Sequence, residues 1–92
     1  MSARELVVPA PPEDVLRRAV PALRRLGARL TRYDDQHGEL EARAGRRLLP
    51  VVVRLRASAE GAATRVTITS DVHDWRAIVR QVAAELAASD WA

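Results

Sequence analysis

Across residues 48–72 the chain alternates between two kinds of side chain. Val51, Val53, Leu55 and Ala57 are interleaved with Val52, Arg54, Arg56 and Ser58. Beyond Glu60-Gly61, Val66, Ile68 and Ser70 are interleaved with Arg65, Thr67 and Thr69. A period of two is that of a pleated strand, with one set of side chains buried and the other in water. Two such runs joined by a glycine-containing turn predict a β-hairpin with one wet face. A lone hairpin is marginal in water, so the rest of the chain has to extend it and cover its apolar side.

The flanking segments fit that requirement. Residues 4–8 predict a first strand that ends at Pro9. Pro11 and Pro12 then set up a helix, because proline suits the first helical position, and Glu13 and Asp14 suit the positive end of its dipole. Val15, Leu16, Ala19, Leu23 and Leu26 recur at helical spacing, with Arg17, Arg18, Arg24 and Arg25 on the other side. Gly27 is the expected stop. Pro21 sits inside the pattern and predicts a kink or two short segments, since it lacks an N–H and clashes with the Arg17 carbonyl. Strands are expected over 28–33 and 39–44, joined by a polar turn at Asp34-Asp35-Gln36-His37-Gly38, with Leu40, Ala42 and Ala44 inward. Gly45, Arg46 and Arg47 make the next turn. Asp74 is placed to cap a second helix whose apolar stripe is Trp75, Ile78, Val79, Val82 and Leu86.

The predicted order is β-α-β-β-β-β-α in a single domain over residues 1–92. Four hairpin-linked strands give an antiparallel meander, and both helices cover one face, making a two-layer α+β fold. The first and second strands are expected at the edges of a five-stranded sheet ordered one-five-four-three-two. Val53, Leu55, Val66, Ile68, Leu23, Leu26, Val79, Val82 and Leu86 are expected in one core. This order resembles the TATA-binding-protein-like fold, and, with the Val8-Pro9-Ala10-Pro11-Pro12-Glu13-Asp14-Val15 lead into the first helix, it resembles in shortened outline the helix-grip domains. Small bacterial domains share the same layout. The helix-grip likeness implies a small apolar ligand between sheet and helices; the TATA-binding likeness directs attention to the open sheet face.

Composition removes several function classes. There is no cysteine, so no disulfide, iron–sulfur cluster, thiol nucleophile or cysteine zinc site is available. No HExxH, EF-hand, Walker A or GxSxG pattern occurs. The longest apolar run breaks at Pro50 and is too short to span a bilayer, and the first residues lack a secretory core. A cytoplasmic protein without a membrane partner is expected. All 15 basic residues are arginine and the net charge is +3; an Arg-for-Lys bias of this kind partly reflects GC-rich codon usage.

Three places could carry function. A turn at Glu60-Gly61 would set Arg54 against Thr67 and Arg56 against Arg65 on the open face. Pairing of Ala44 with Val51 would set Glu41 against Arg54 and Glu39 against Arg56. That describes a solvated charge lattice more than a nucleic-acid reader, which needs a strongly basic face with stacking or wedging side chains. Asp34, Asp35 and His37, and separately Asp71, His73 and Asp74, fall at opposite ends of the meander, and each offers one histidine among turn or capping carboxylates. No metal, cofactor or catalytic residue is expected from them. At the end holding Asp71, residues Arg46, Arg47, His73 and Arg24 form a candidate anion site. Tyr33, Val52, Arg54, Arg56 and Trp91 form a candidate partner surface on the open face and the C-terminal tail. The leading expectation is a small non-enzymatic interaction or binding module, bound to a protein partner or to itself. The second is an anion or nucleic-acid binder acting through arginine, and the third the apolar-ligand binder.

Overall fold

A computed structural model describes residues 2–45, 48–71 and 75–91. The alternation at the centre of the sequence becomes two long strands, β4 (Pro50–Glu60) and β5 (Ala63–Ser70). Around them lie β1 (Ser2–Val8), α1 (Pro12–Arg25), β2 (Arg29–Asp34), β3 (Glu39–Gly45), a 3-10 turn (Trp75–Ala77) and α2 (Ile78–Ala88). The strands form one antiparallel sheet in the order β1-β5-β4-β3-β2, so the α+β class, the element order and both edges are as expected from the sequence. No helix of the described residues is long and apolar enough to cross a membrane.

The period of two puts Val51, Val53, Leu55 and Ala57 of β4, Val66 and Ile68 of β5, and Leu40, Ala42 and Ala44 of β3 on one buried side. Helix α1 lies on this side over β2, β3 and β4, and α2 lies over β1 and β5. Val15, Leu16, Ala19 and Leu23 from α1 meet Ile78, Val79, Val82 and Leu86 from α2 in a single cluster with the strand residues. Of the expected core, only Leu26 stays half-buried at its margin.

Helix α1 ends as its sequence dictates. Gly27 takes φ +89. Its N–H bonds the Arg24 carbonyl at 3.1 Å, and the Ala28 N–H bonds the Leu23 carbonyl at 2.9 Å. This pair of bonds is the Schellman arrangement, and it turns buried Ala28 straight into β2. At the other end of α1, the Thr64 hydroxyl of β5 donates to the Ala10 carbonyl at 2.5 Å and pins the proline-rich lead to the sheet.

Four expectations are corrected. Helix α1 runs unbroken through Pro21 for 14 residues rather than as two segments; Pro21 is exposed, so water can satisfy the carbonyl that the missing N–H leaves free. The β4–β5 turn is Gly61-Ala62, because Glu60 pairs with Ala63. Positive φ at Gly61 alone, in the first central position, is the pattern of a type II′ hairpin. Arg54 therefore faces Thr69, and Arg56 faces Thr67. A slip of two residues keeps every side chain on its expected face, where a slip of one would have inverted the strand. Helix α2 begins at Ile78 behind Ala77, which makes no side-chain cap, and the expected cap Asp74 lies outside the described residues. Finally, β4 starts at Pro50, leaving Leu48 and Leu49 in the connection ahead of it.

Candidate functional site

Consider first the open face of the sheet, where the register fixes the neighbours. Glu41 opposes Arg54 and Glu39 opposes Arg56, as expected. Arg54 Nε lies 3.1 Å from Glu41 Oε2, and Arg56 Nε 3.8 Å from Glu39 Oε1. Arg32 of β2 reaches Asp34 at 3.4 Å and Glu39 at 3.8 Å. Arg65 is held between Glu5 of β1 and Glu60. The Arg65 hydrogen bonds keep the Glu60 carboxyl below its ordinary value. A shallow hollow of about 320 Å³ opens over Arg32, Glu39, Glu41, Arg54, Arg56 and Thr69. Its walls already neutralise one another, and exposed pairs of this kind are individually weak. Val52 is half-buried on this face, and the strand beside it is completed by Asp71. The Asp71 N–H donates to the Val52 carbonyl at 3.1 Å, and the Asp71 carboxylate accepts from the Val52 N–H at 2.9 Å.

The expected partner surface is divided. Val52, Arg54 and Arg56 share the open face. Tyr33 pairs with Leu40, whose side chain is buried in the core, so Tyr33 lies at the β2 edge on the helix-covered side. The exchange of sides comes from the bulge between Leu30 and Arg32. Trp91 lies in the helix layer. It folds back with its indole N–H donating to the Leu86 carbonyl at 3.0 Å, and the Arg18 guanidinium stands 5.0 Å above its ring.

The turn after β2 is closed on itself. The His37 ring Nδ1 lies 2.8 Å from Asp34 Oδ2, and the His37 backbone N–H bonds Asp34 Oδ1 at 3.1 Å. These two bonds, the ring contact foremost, hold the Asp34 carboxyl below its ordinary 3.8. Among the described residues no group of three or more acidic or histidine side chains is arranged to hold a metal ion.

The opposite end of the sheet is different. Arg46, Arg47 and His73 of the expected anion site lie outside the described residues, and Arg24 is exposed in the last turn of α1. At this end the register sets Arg29 of β2 directly against Arg43 of β3. Both are exposed, and neither has a carboxylate partner among the described residues. Like charges directly across a ladder repel. Trp75 packs against the turns at Gly27 and Gly45: a Cβ on either glycine would lie 3.5–3.6 Å from its ring. The Arg76 guanidinium sits 4.8 Å over the Trp75 ring. Arg76 and Ala77 both hold left-handed backbone, at φ 50 and 55. Ahead of Pro50, Leu48 is 90% and Leu49 77% exposed, the two most exposed large apolar side chains described.

Sequence reasoning missed the leucines by counting Leu48 into the alternating stretch. The signal was nonetheless available. Pairing Ala44 with Val51 pairs Gly45 with Pro50, and residues 46–49 are then the whole connection. A surface loop has no core to offer two leucines.

No protein-family model matches the chain, and no curated protein is significantly similar to it.

Proposed function

We propose that the chain is a small non-enzymatic binding module that meets its partner with the Leu48–Leu49 end of the sheet. The observation that carries this reading is the adjacent exposed pair Leu48 and Leu49, at 90% and 77%. Single exposed apolar residues are ordinary, whereas adjoining large ones at a projecting connection mark an interaction site. Two further features support a surface contact over a buried ligand. The layer between sheet and helices is filled by side chains such as Leu16, Leu23, Leu55 and Ile68, each nearly or wholly inaccessible. Arg54, Arg56 and Arg65 of the open face are engaged with neighbouring glutamates. The resemblance in layout to TATA-binding-protein-like and helix-grip folds is compatible with a binding role but assigns none.

A second reading, anion binding through arginine, is favoured by the Arg29–Arg43 juxtaposition, which an anionic ligand would relieve. Affinity capture with the full tagged chain tests the first reading. Leu48→Ser/Leu49→Ser should abolish capture of the partner while Arg56→Gln, in the middle of the open face, leaves it intact. The opposite pattern would move the binding surface to the open face and sink the proposal.

A further inference from the structure

The leucine-tipped end has a composition that selects among partner chemistries. We propose that it docks on an anionic phospholipid surface, with Leu48 and Leu49 entering the interface and the surrounding arginines engaging the headgroups. This inference rests on the reading that the same end is the binding surface.

Four observations favour lipid. First, the apolar element is a projecting tip. Among the described residues, hollows lie over Arg32, Glu39 and Arg54 on the open face and over Asp14, Arg17 and Trp91 beside α1, and a smaller one over Val52, Ser70 and Asp71 is lined by neither leucine. A projecting aliphatic pair suits a surface that yields, because lipid needs no matching pocket.

Second, the cations at this end are unspent. Arg24, Arg29 and Arg43 have no carboxylate partner among the described residues. Clustered arginines beside a short apolar insertion are the two signals that interfacial anchoring combines.

Third, Trp75 is half-buried between the Gly27 and Gly45 turns at the same end. An indole in that position suits the level of the headgroups.

Fourth, charge is separated along the molecule. The long dimension is 40 Å, about the span of the 11-residue strand β4 at ~3.3 Å per residue. Asp34, Asp35 and Glu60 occupy the far end, and Asp71, at the leucine-bearing end, is taken up by the Val52 N–H at 2.9 Å. An anionic surface would thus draw the leucine-bearing end inward and turn the acidic end away.

A nucleic acid would use the arginines but offers nothing to the leucines. Crossing a bilayer is a separate matter, since an interfacial contact needs no apolar span.

The test is flotation of the full chain with vesicles of phosphatidylcholine alone, or of phosphatidylcholine mixed with phosphatidylglycerol. Binding is expected to the mixed vesicles only, and to fade as salt rises. Leu48→Ser/Leu49→Ser should abolish it. Arg29→Gln/Arg43→Gln should weaken it roughly 25-fold, about fivefold per charge. All four positions are exposed, so the variants should keep the wild-type far-UV spectrum. Three results would overturn the proposal. One is no binding to mixed vesicles. Another is vesicle binding that survives loss of both leucines. The third is tighter binding to a single-stranded oligonucleotide through Arg29 and Arg43 with the leucines dispensable. If vesicles fail while Leu48→Ser/Leu49→Ser still abolishes capture of a protein, the lipid is wrong and the binding surface stands. If both fail, both readings fall.

Discussion

Gly38 shows how tightly one residue can be specified. It holds φ +68, and its carbonyl accepts the Ala57 N–H at 2.7 Å. A Cβ there would stand 2.2 Å from the Ala57 carbonyl oxygen, which is backbone and cannot swing aside. Gly61 also has positive φ, +64, but open space around it. Gly61→Ala should therefore cost only the left-handed penalty, about 1–2 kcal/mol. Gly38→Ala should cost clearly more, roughly 3 kcal/mol or above, because strain and clash combine. Paired urea titrations of the two variants check the order. Asp34 makes a pH prediction. Its carboxyl is held below the usual 3.8 by His37, so its contribution is complete above the unfolded value and is lost as pH falls through the folded one. Asp34→Asn should be less stable than wild type at neutral pH, and the gap should close as pH falls below the ordinary 3.8. Thermal melts across that range would show it. Glu60, held low by Arg65, loses its contribution in the same direction and accounts for part of the acid sensitivity that remains.

At the scale of elements, the instructive residue is Pro21. Sequence reasoning broke the helix there, yet α1 continues. The apolar face of Val15, Leu16, Ala19, Ala22 and Leu23 is buried on both sides of the proline, and that packing outweighs one missing hydrogen bond. The cost is still present. Pro21→Ala should stabilise the protein by about 1–3 kcal/mol, read as a higher denaturant midpoint with an unchanged slope. Strand faces were legible throughout β3, β4 and β5 because burial enforces the period of two. The β4–β5 partners were not, since Gly61 can serve in either position of the turn, and the two choices differ by two residues without exchanging faces. Tyr33 was misplaced for another reason. The bulge at Thr31 adds one residue to β2, and no feature of Arg29-Leu30-Thr31-Arg32 announces it. The start of α2 was also hidden. Left-handed Arg76 and Ala77 delay it to Ile78, and neither residue type advertises that backbone.

Over the whole molecule, the sheet has an open face that is self-neutralising in its middle, a covered face and two unlike ends. The first two follow from alternation alone, so architecture and core could be read early. The ends depend on which strands finish side by side, and only the register brings Arg29 to Arg43 and leaves Leu48 and Leu49 outside the ladder. The two tryptophans report on this division: Trp75 lies at the basic end against Gly27 and Gly45, and Trp91 lies beside Asp14 and Arg17 at the start of α1. Fluorescence of two single-tryptophan proteins, titrated with mixed phosphatidylcholine–phosphatidylglycerol vesicles, therefore tests most directly which end binds. Emission of the Trp91→Phe protein, whose remaining indole is Trp75, should shift to the blue as vesicles are added, while that of the Trp75→Phe protein stays fixed. A shift confined to the Trp75→Phe protein, or no shift in either, would contradict binding through the Leu48–Leu49 end.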